Sequence, residues 1–172
     1  GRHLIKRLAK TGTIIRVATR HPSNANFLRT NGAVGQIIPI ATNIHDDASV
    51  AAAVRDADIV INLIGILYES GANTFSGTQS DAPGRIARAA KAAGVQRFIQ
   101  MSAIGADTGS TSEYARSKAA GEQAVCRHNV GYWDGGDWWG AGPGAHSHVA
   151  GVRWWNVKHP ARYSETLAAG EL

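Results

Sequence analysis

Over its first 125 residues this chain alternates short β-branched segments with helix-patterned ones, and that rhythm limits the folds open to it. Leu4, Ile5 and Leu8 share one face of a helix predicted over 2–10. Gly12 supplies its stop, and 13–19 follows as a strand. Pro22 opens a short helix reaching Asn31, and 36–40 reads as a second strand. His45, Asp46 and Asp47 offer capping groups for an alanine-rich helix over 48–55. Residues 58–64, apolar but for Asp58 and Asn62, read as a strand buried on both faces of a parallel sheet. A helix over 81–93 with Gly94 as its stop, a strand over 97–102 and a helix over 112–125 complete the series. Helices between short apolar strands build right-handed βαβ units, so the fold class is α/β, a doubly wound parallel sheet.

A nucleotide-binding sheet of this class normally opens on a strand and a glycine-rich turn ahead of its first helix. This chain opens on the helix, with Gly1 where the last glycine of such a turn would stand. The expectation is an N-terminally truncated fragment lacking the first strand and most of the glycine turn.

A length of 172 residues suits one domain with a sizeable core. With 44% hydrophobic and 18% charged residues, disorder of the whole chain is excluded. The longest apolar run, 59–67, is broken by Asn62 and falls far short of the roughly 20 residues that cross a bilayer. One cysteine, Cys126, excludes an internal disulfide framework and suits a reducing compartment, cytosol or matrix. The net charge of +5 comes from scattered basic residues, not from a stripe between aromatic platforms, which argues against nucleic acid.

Past Cys126 the composition changes: all five Trp and four of the seven His lie there, and Ile and Phe vanish. The expected organisation is therefore a partial nucleotide-binding domain over 1–125 and a Gly/Trp/His-rich tail over 126–172, read out of frame or disordered. His146 and His148 lack matching carboxylates and make no metal site, and the pairs Trp138-Trp139 and Trp154-Trp155 show no periodicity.

The candidate chemistry lies at Ser102, Tyr114 and Lys118. Tyr114 and Lys118 stand four apart and share a helix face. A phenol titrates near 10, so acid/base work at neutral pH needs a stabilised phenolate, which a cation one turn away supplies. Ser102, expected at a strand end, would orient a carbonyl or hydroxyl. On spacing alone, an exposed helical surface pair remains open.

Four segments carry a resemblance: IVINLIG at 59–65, GRIARAAKAAGVQRFI at 84–99, MSAIGAD at 101–107 and YARSKAAGE at 114–122. Together they resemble the atypical short-chain dehydrogenase/reductase superfamily, a Rossmann-like NAD(P)-binding group. Within it the chain looks most like the NADPH-binding accessory subunits of respiratory complex I and their bacterial homologues. The resemblance spans residues 1 to about 125 and stops in the tail.

It implies a dinucleotide whose pyrophosphate meets Gly1 and Arg2 at a helix N-terminus. Arg20 stands after a strand where an acidic residue would hold a ribose 2′-hydroxyl and a basic one a 2′-phosphate, so NADP(H) is favoured over NAD(H). Arg16 sits inside the strand. Asn43 and Ile44 fall at the adenine, with Asn where the family usually has Asp. Leu63, Ile64 and Gly65 line the cofactor, and Ser102, Tyr114 and Lys118 touch it as well as the substrate. Solvated side chains for Arg2 and Arg20, and a plain turn for Gly65, remain open.

Two functions follow from the resemblance. One is a cofactor-holding subunit docked to respiratory complex I subunits, or near quinone synthesis. Such a subunit would be cytoplasmic and peripheral on the inner membrane in bacteria, or on the matrix side in mitochondria. The other is a free NAD(P)-dependent oxidoreductase or epimerase acting on a carbonyl or hydroxyl.

Overall fold

The computed structural model describes residues 1–128, 146–149, 152–156 and 160–169. Helix α1 (Arg2–Ala9) buries Ile5 and Ala9 and ends ahead of Gly12, whose φ of 79° is the left-handed turn foreseen there. The chain then enters β1 (Ile15–Thr19), crosses a 3₁₀ segment (Pro22–Asn31) and returns as β2 (Ile37–Ala41). The two strands run parallel, Ile15 opposite Ile37 and Thr19 opposite Ala41. Helix α2 (Asp47–Val54) starts on Asp46, whose carboxylate accepts from the Ala48 amide at 2.9 Å.

Strand β3 (Ile59–Asn62) pairs in parallel with β4 (Arg97–Gln100), Ile59 opposite Arg97 and Asn62 opposite Gln100. Between them a π-helical turn, Ser76–Asp81, runs directly into α3 (Ala82–Ala92). Helix α4 (Glu113–His128) follows β4 and packs on α3 and on the π turn. In the tail, β5 (His146–Val149) and β6 (Val152–Trp155) pair antiparallel, and α5 (Pro160–Ala169) ends the described chain. His146 and His148 thus lie on β5, and Trp154 and Trp155 on β6, whereas Trp138 and Trp139 lie outside the described residues.

The α/β reading and the parallel pairing hold, with one departure. Among the described residues β1–β2 and β3–β4 are two separate parallel pairs, and each has its own core. Ile5, Ala9, Ile15, Ala25, Leu28 and Ile37 form the first, while Val50, Val54 and Ile86 form the second with Val60, Ile64 and Phe98 packed on it. The strand expected over 58–64 to be buried on both faces is shorter, and Ile59 is 50% exposed. Its apolar sequence is the same, but among the described residues only β4 pairs with it, so the second neighbouring strand that the pattern presumes is not found among them. Ile14, just ahead of β1, is 72% exposed.

Candidate functional site

In a parallel α/β fold the functional groups gather past the carboxyl ends of the strands, so the loops after Thr19, Ala41, Asn62 and Gln100 are the place to look. A hollow of about 610 Å³ lined by Ala9, Gly12, Ile14, Val34 and Gln36 lies at the opposite, amino end of β1 and β2. It lacks the candidate groups.

Gly1 begins α1 beside the end of β3, because a Cβ placed on it would lie 3.9 Å from Leu63 Cδ1. The first turn of a helix, with its unpaired amides, therefore faces the β3 loop. Arg2 lays its guanidinium over the Phe27 ring, 5.0 Å from the centroid. Arg20 is exposed after β1, and its Nη1 donates to Asn73 Oδ1 at 3.4 Å. Arg16 points elsewhere: its Nη2 donates to the Arg55 carbonyl between α2 and β3.

The loop after β2 is stiffened by its own polar groups. Asn43 Oδ1 accepts from the His45 amide at 3.0 Å, and the Asn43 amide donates to Ser49 Oγ at 2.9 Å. Arg85 reaches across from α3, donating to the Ile44 carbonyl at 3.0 Å while pairing with Asp47. Asn62 ties the end of β3 to β4 and to the turn that follows it. It is buried, donates to Gln100 Oε1 at 2.8 Å and accepts from the Ile64 amide at 3.1 Å, so it shapes the turn carrying Leu63, Ile64 and Gly65.

The tightest convergence is between that turn and α4. Lys118 is only 5% exposed, and its Nζ donates to the Ile64 carbonyl at 3.4 Å and lies 5.9 Å from the centre of the Tyr114 ring. Burial pushes the Lys118 pKa below the usual lysine value, opposed by the negative charge of Glu122. Gly65 permits this close approach, since a Cβ would sit 3.0 Å from Lys118 Nζ and 3.3 Å from Gln79 Oε1, with no room to spare. Tyr114 is half-buried, held edge-on by Phe75 at 6.1 Å. Ser102 lies beyond the end of β4 in the loop, its Oγ buried without a hydrogen-bond partner, so it does not bond Tyr114.

The structure thus brings Tyr114, Lys118, Ile64 and Gly65 together, sets Gly1 and Leu63 beside them, and keeps Arg20 and Asn43 at the ends of the neighbouring strands. Gln79, Thr78, Asn73 and Phe75 were not legible as site residues. Gln79 and Thr78 are buried, with Gln79 Oε1 and Thr78 Oγ1 unpartnered, yet they belong to a Ser/Gly/Thr/Gln stretch that reads as a loop. The one signal is that this polar stretch leads straight into a helix carrying Pro83 in its first turn.

A buried ammonium, a bare glycine, a helix N-terminus and a buried hydroxyl lacking a partner fit an elongated, polar, anionic ligand. On this parallel fold they define a Rossmann-type NAD(P)-binding protein. The chain belongs to the NAD(P)H-binding family, whose model matches residues 1–133. It is 36% identical over 127 residues to the mitochondrial NADH dehydrogenase [ubiquinone] 1 alpha subcomplex subunit 9 of Arabidopsis thaliana, covering 73% of this chain and 32% of that one. A stretch of 47 residues, 27% of this chain, is 68% identical to 12% of the heme chaperone HemW of Mycobacterium tuberculosis. Among solved structures, sorbitol-6-phosphate 2-dehydrogenase of Erwinia amylovora superposes with a TM-score of 0.64 at 19% identity, over 78% of this chain and 62% of that one. The chain spans about a third of the mitochondrial relative and about an eighth of HemW.

Proposed function

We propose that this chain is the dinucleotide-holding part of a complex I-associated accessory subunit and that its dinucleotide is NADP(H). The observation that carries the reading is the junction of Lys118 with Ile64 and Gly65, where a buried cation meets a backbone with no side chain in the way. Gly1 and Arg2 would take the pyrophosphate, Arg20 the 2′-phosphate, and Asn43 and Ile44 the adenine. Leu63, Ile64, Gly65, Ser102, Tyr114 and Lys118 would line the nicotinamide half. The absence of an acidic residue after β1 and the exposed guanidinium of Arg20 support NADP(H) over NAD(H). The likeness to a mitochondrial NADH dehydrogenase subunit supports docking to complex I, on the matrix side or its bacterial equivalent. Among the described residues no helix is long and apolar enough to cross a membrane, so attachment would run through partner subunits.

Ser102 favours a second reading, an oxidoreductase or epimerase. Its buried hydroxyl lacks a partner, as expected of a group that orients a substrate carbonyl or hydroxyl. Bound NADP(H) would supply hydride chemistry, Tyr114 would hold or release the proton at the substrate oxygen, and Lys118 would favour the phenolate. The polypeptide made from its gene, tagged and purified from its own host, separates the two. Co-purification with respiratory complex I supports the accessory role, and turnover of carbonyl substrates by the isolated protein supports the enzyme.

A further inference from the structure

We infer that the amino end of β1 and β2, together with the last turn of α1, is a face that docks on an anionic phospholipid surface. This face lies at the end of the strands opposite the candidate dinucleotide site, so it is independent of that reading. The first observation is one of charge. Residues 1–45 carry seven Lys or Arg and no Asp or Glu. The whole chain has 18 basic and 13 acidic side chains, so the remainder holds 11 and 13, and the positive excess lies entirely in this first segment. The same segment folds through α1, β1, the 3₁₀ segment and β2 around its own core, and all seven cations are exposed on it.

Three of these cations gather where the second observation falls. Lys6 and Arg7 stand in the last turn of α1 and Lys10 is its C-cap. Spacings of four and three put both beside Lys10 on the exposed side of the helix, away from buried Ile5 and Ala9. Among the described residues none of these three side chains has an ion-pair or hydrogen-bond partner. Arg2, Arg16 and Arg20, by contrast, are engaged by the Phe27 ring, the Arg55 carbonyl and Asn73. Lys10 also lines the hollow at the amino end of the strands, with Ile14 and Val34, and no carboxylate lines it. Ile14 is 72% exposed and Val34 fully so. Each stands next to a tight turn, at Gly12 and Gly35, whose φ values of 79° and 80° only glycine adopts freely, so two aliphatic side chains are held out at turn tips.

Aliphatic tips beside unpaired cations of one sign are the pattern of a peripheral lipid-binding face. Long basic side chains reach the phosphate headgroups while the aliphatic groups enter the boundary with the acyl chains. Protein interfaces are depleted in lysine and set fixed donors against matched acceptors. Here the cations are flexible, and a fluid headgroup layer asks for no fixed geometry. A helix-dipole role accounts for Lys6 and Arg7 in the last turn, but it leaves the bare Ile14 and Val34 unexplained. Contact of this kind is weak and reversible alone, and it adds to docking on partner subunits.

The test is flotation of the full chain with vesicles in a density gradient, where lipid-bound protein rises and self-associated protein sinks. One set of vesicles is phosphatidylcholine alone and the other is phosphatidylcholine mixed with phosphatidylglycerol. The expected result is flotation with the mixed vesicles only, reversed by added salt. Lys6→Gln/Arg7→Gln/Lys10→Gln loses roughly a hundredfold in affinity, at roughly fivefold for each cation at a negative leaflet. Arg55→Gln/Lys91→Gln/Arg97→Gln removes the same charge from exposed positions elsewhere and stays within about threefold of the parent, because the leaflet's field fades within a Debye length. Val34→Asp changes one fully exposed tip, loses at least roughly fivefold, and reads the same face if the first triple variant does not fold. No flotation of the parent on mixed vesicles, equal flotation on phosphatidylcholine alone, or equal losses in the two triple variants overturns the inference. Retention on immobilised polyglutamate without flotation also overturns it and assigns the face to an acidic protein. Each of these outcomes leaves the dinucleotide site standing.

Discussion

Lys118 donates its ammonium to the Ile64 carbonyl at 3.4 Å, so a side chain from α4 fastens the loop that ends β3. That bond joins two elements that are 54 residues apart, and it does so with a cation that burial disfavours. Such an arrangement costs stability and is expected where a charged ligand repays it.

Replacing the lysine should therefore separate binding from stability. Lys118→Met is expected to abolish measurable dinucleotide binding while leaving the thermal midpoint of the unliganded chain unchanged or raised. Differential scanning fluorimetry with and without NADPH reads both. A large fall in midpoint without ligand would mean that the lysine is mainly structural.

The same burial sets a pH dependence. Folded Lys118 holds its proton less tightly than the unfolded chain does, so between its lowered pKa and the ordinary 10.5 the unfolded state binds more protons. Its contribution to stability therefore rises with pH across that window, and the full penalty is present below it. Dinucleotide affinity should move the other way, weakening as the ammonium is lost. Chemical denaturation and NADPH titration from neutral to alkaline pH, with Lys118→Met as the reference, test the opposed trends. Parallel trends would remove Lys118 from the site.

Arg20 should set cofactor choice. Arg20→Asp is expected to weaken NADPH and improve NADH, with a change on the order of 1.5 to 3 kcal/mol for a charged contact to phosphate. Arg16→Ala should leave the preference alone, because that side chain is bound to the Arg55 carbonyl. Competitive titration of both cofactors checks this, and an unaltered ratio in Arg20→Asp would remove Arg20 as the reader.

Much of this was written in the local pattern. The glycine stop at Gly94, which has a φ of 72°, the Asp46 cap and the parallel alternation all follow from rules acting within a turn or two. Tyr114 and Lys118 share a helix face for the same reason. What the sequence could not show depends on distant partners. The burial of β3 hinges on whether a second strand lies against it. The burial and bonding of Gln79 depend on Ser117, 38 residues further along the chain. The sequence also could not indicate that Ser102 Oγ would lack a partner, because that needs the loop's path.

The divided sheet carries its own prediction. With β1 and β3 not paired to each other and apolar Ile14 and Ile59 exposed, the chain is expected to unfold at low temperature and to self-associate along strand edges. Adding an apolar strand of about six residues and a glycine turn ahead of Gly1 should raise the midpoint and suppress association. Thermal unfolding and light scattering of both versions test this, and a sharp, monomeric transition in the unextended chain would contradict it.

Isothermal titration of the purified chain with NADPH and with NADH, at one salt concentration and neutral pH, bears most directly on the proposed NADP(H) site. Saturable binding of one dinucleotide per chain is expected, tighter for NADPH and lost in Lys118→Met. Equal affinity for the two cofactors, or binding that survives loss of the lysine, would contradict it.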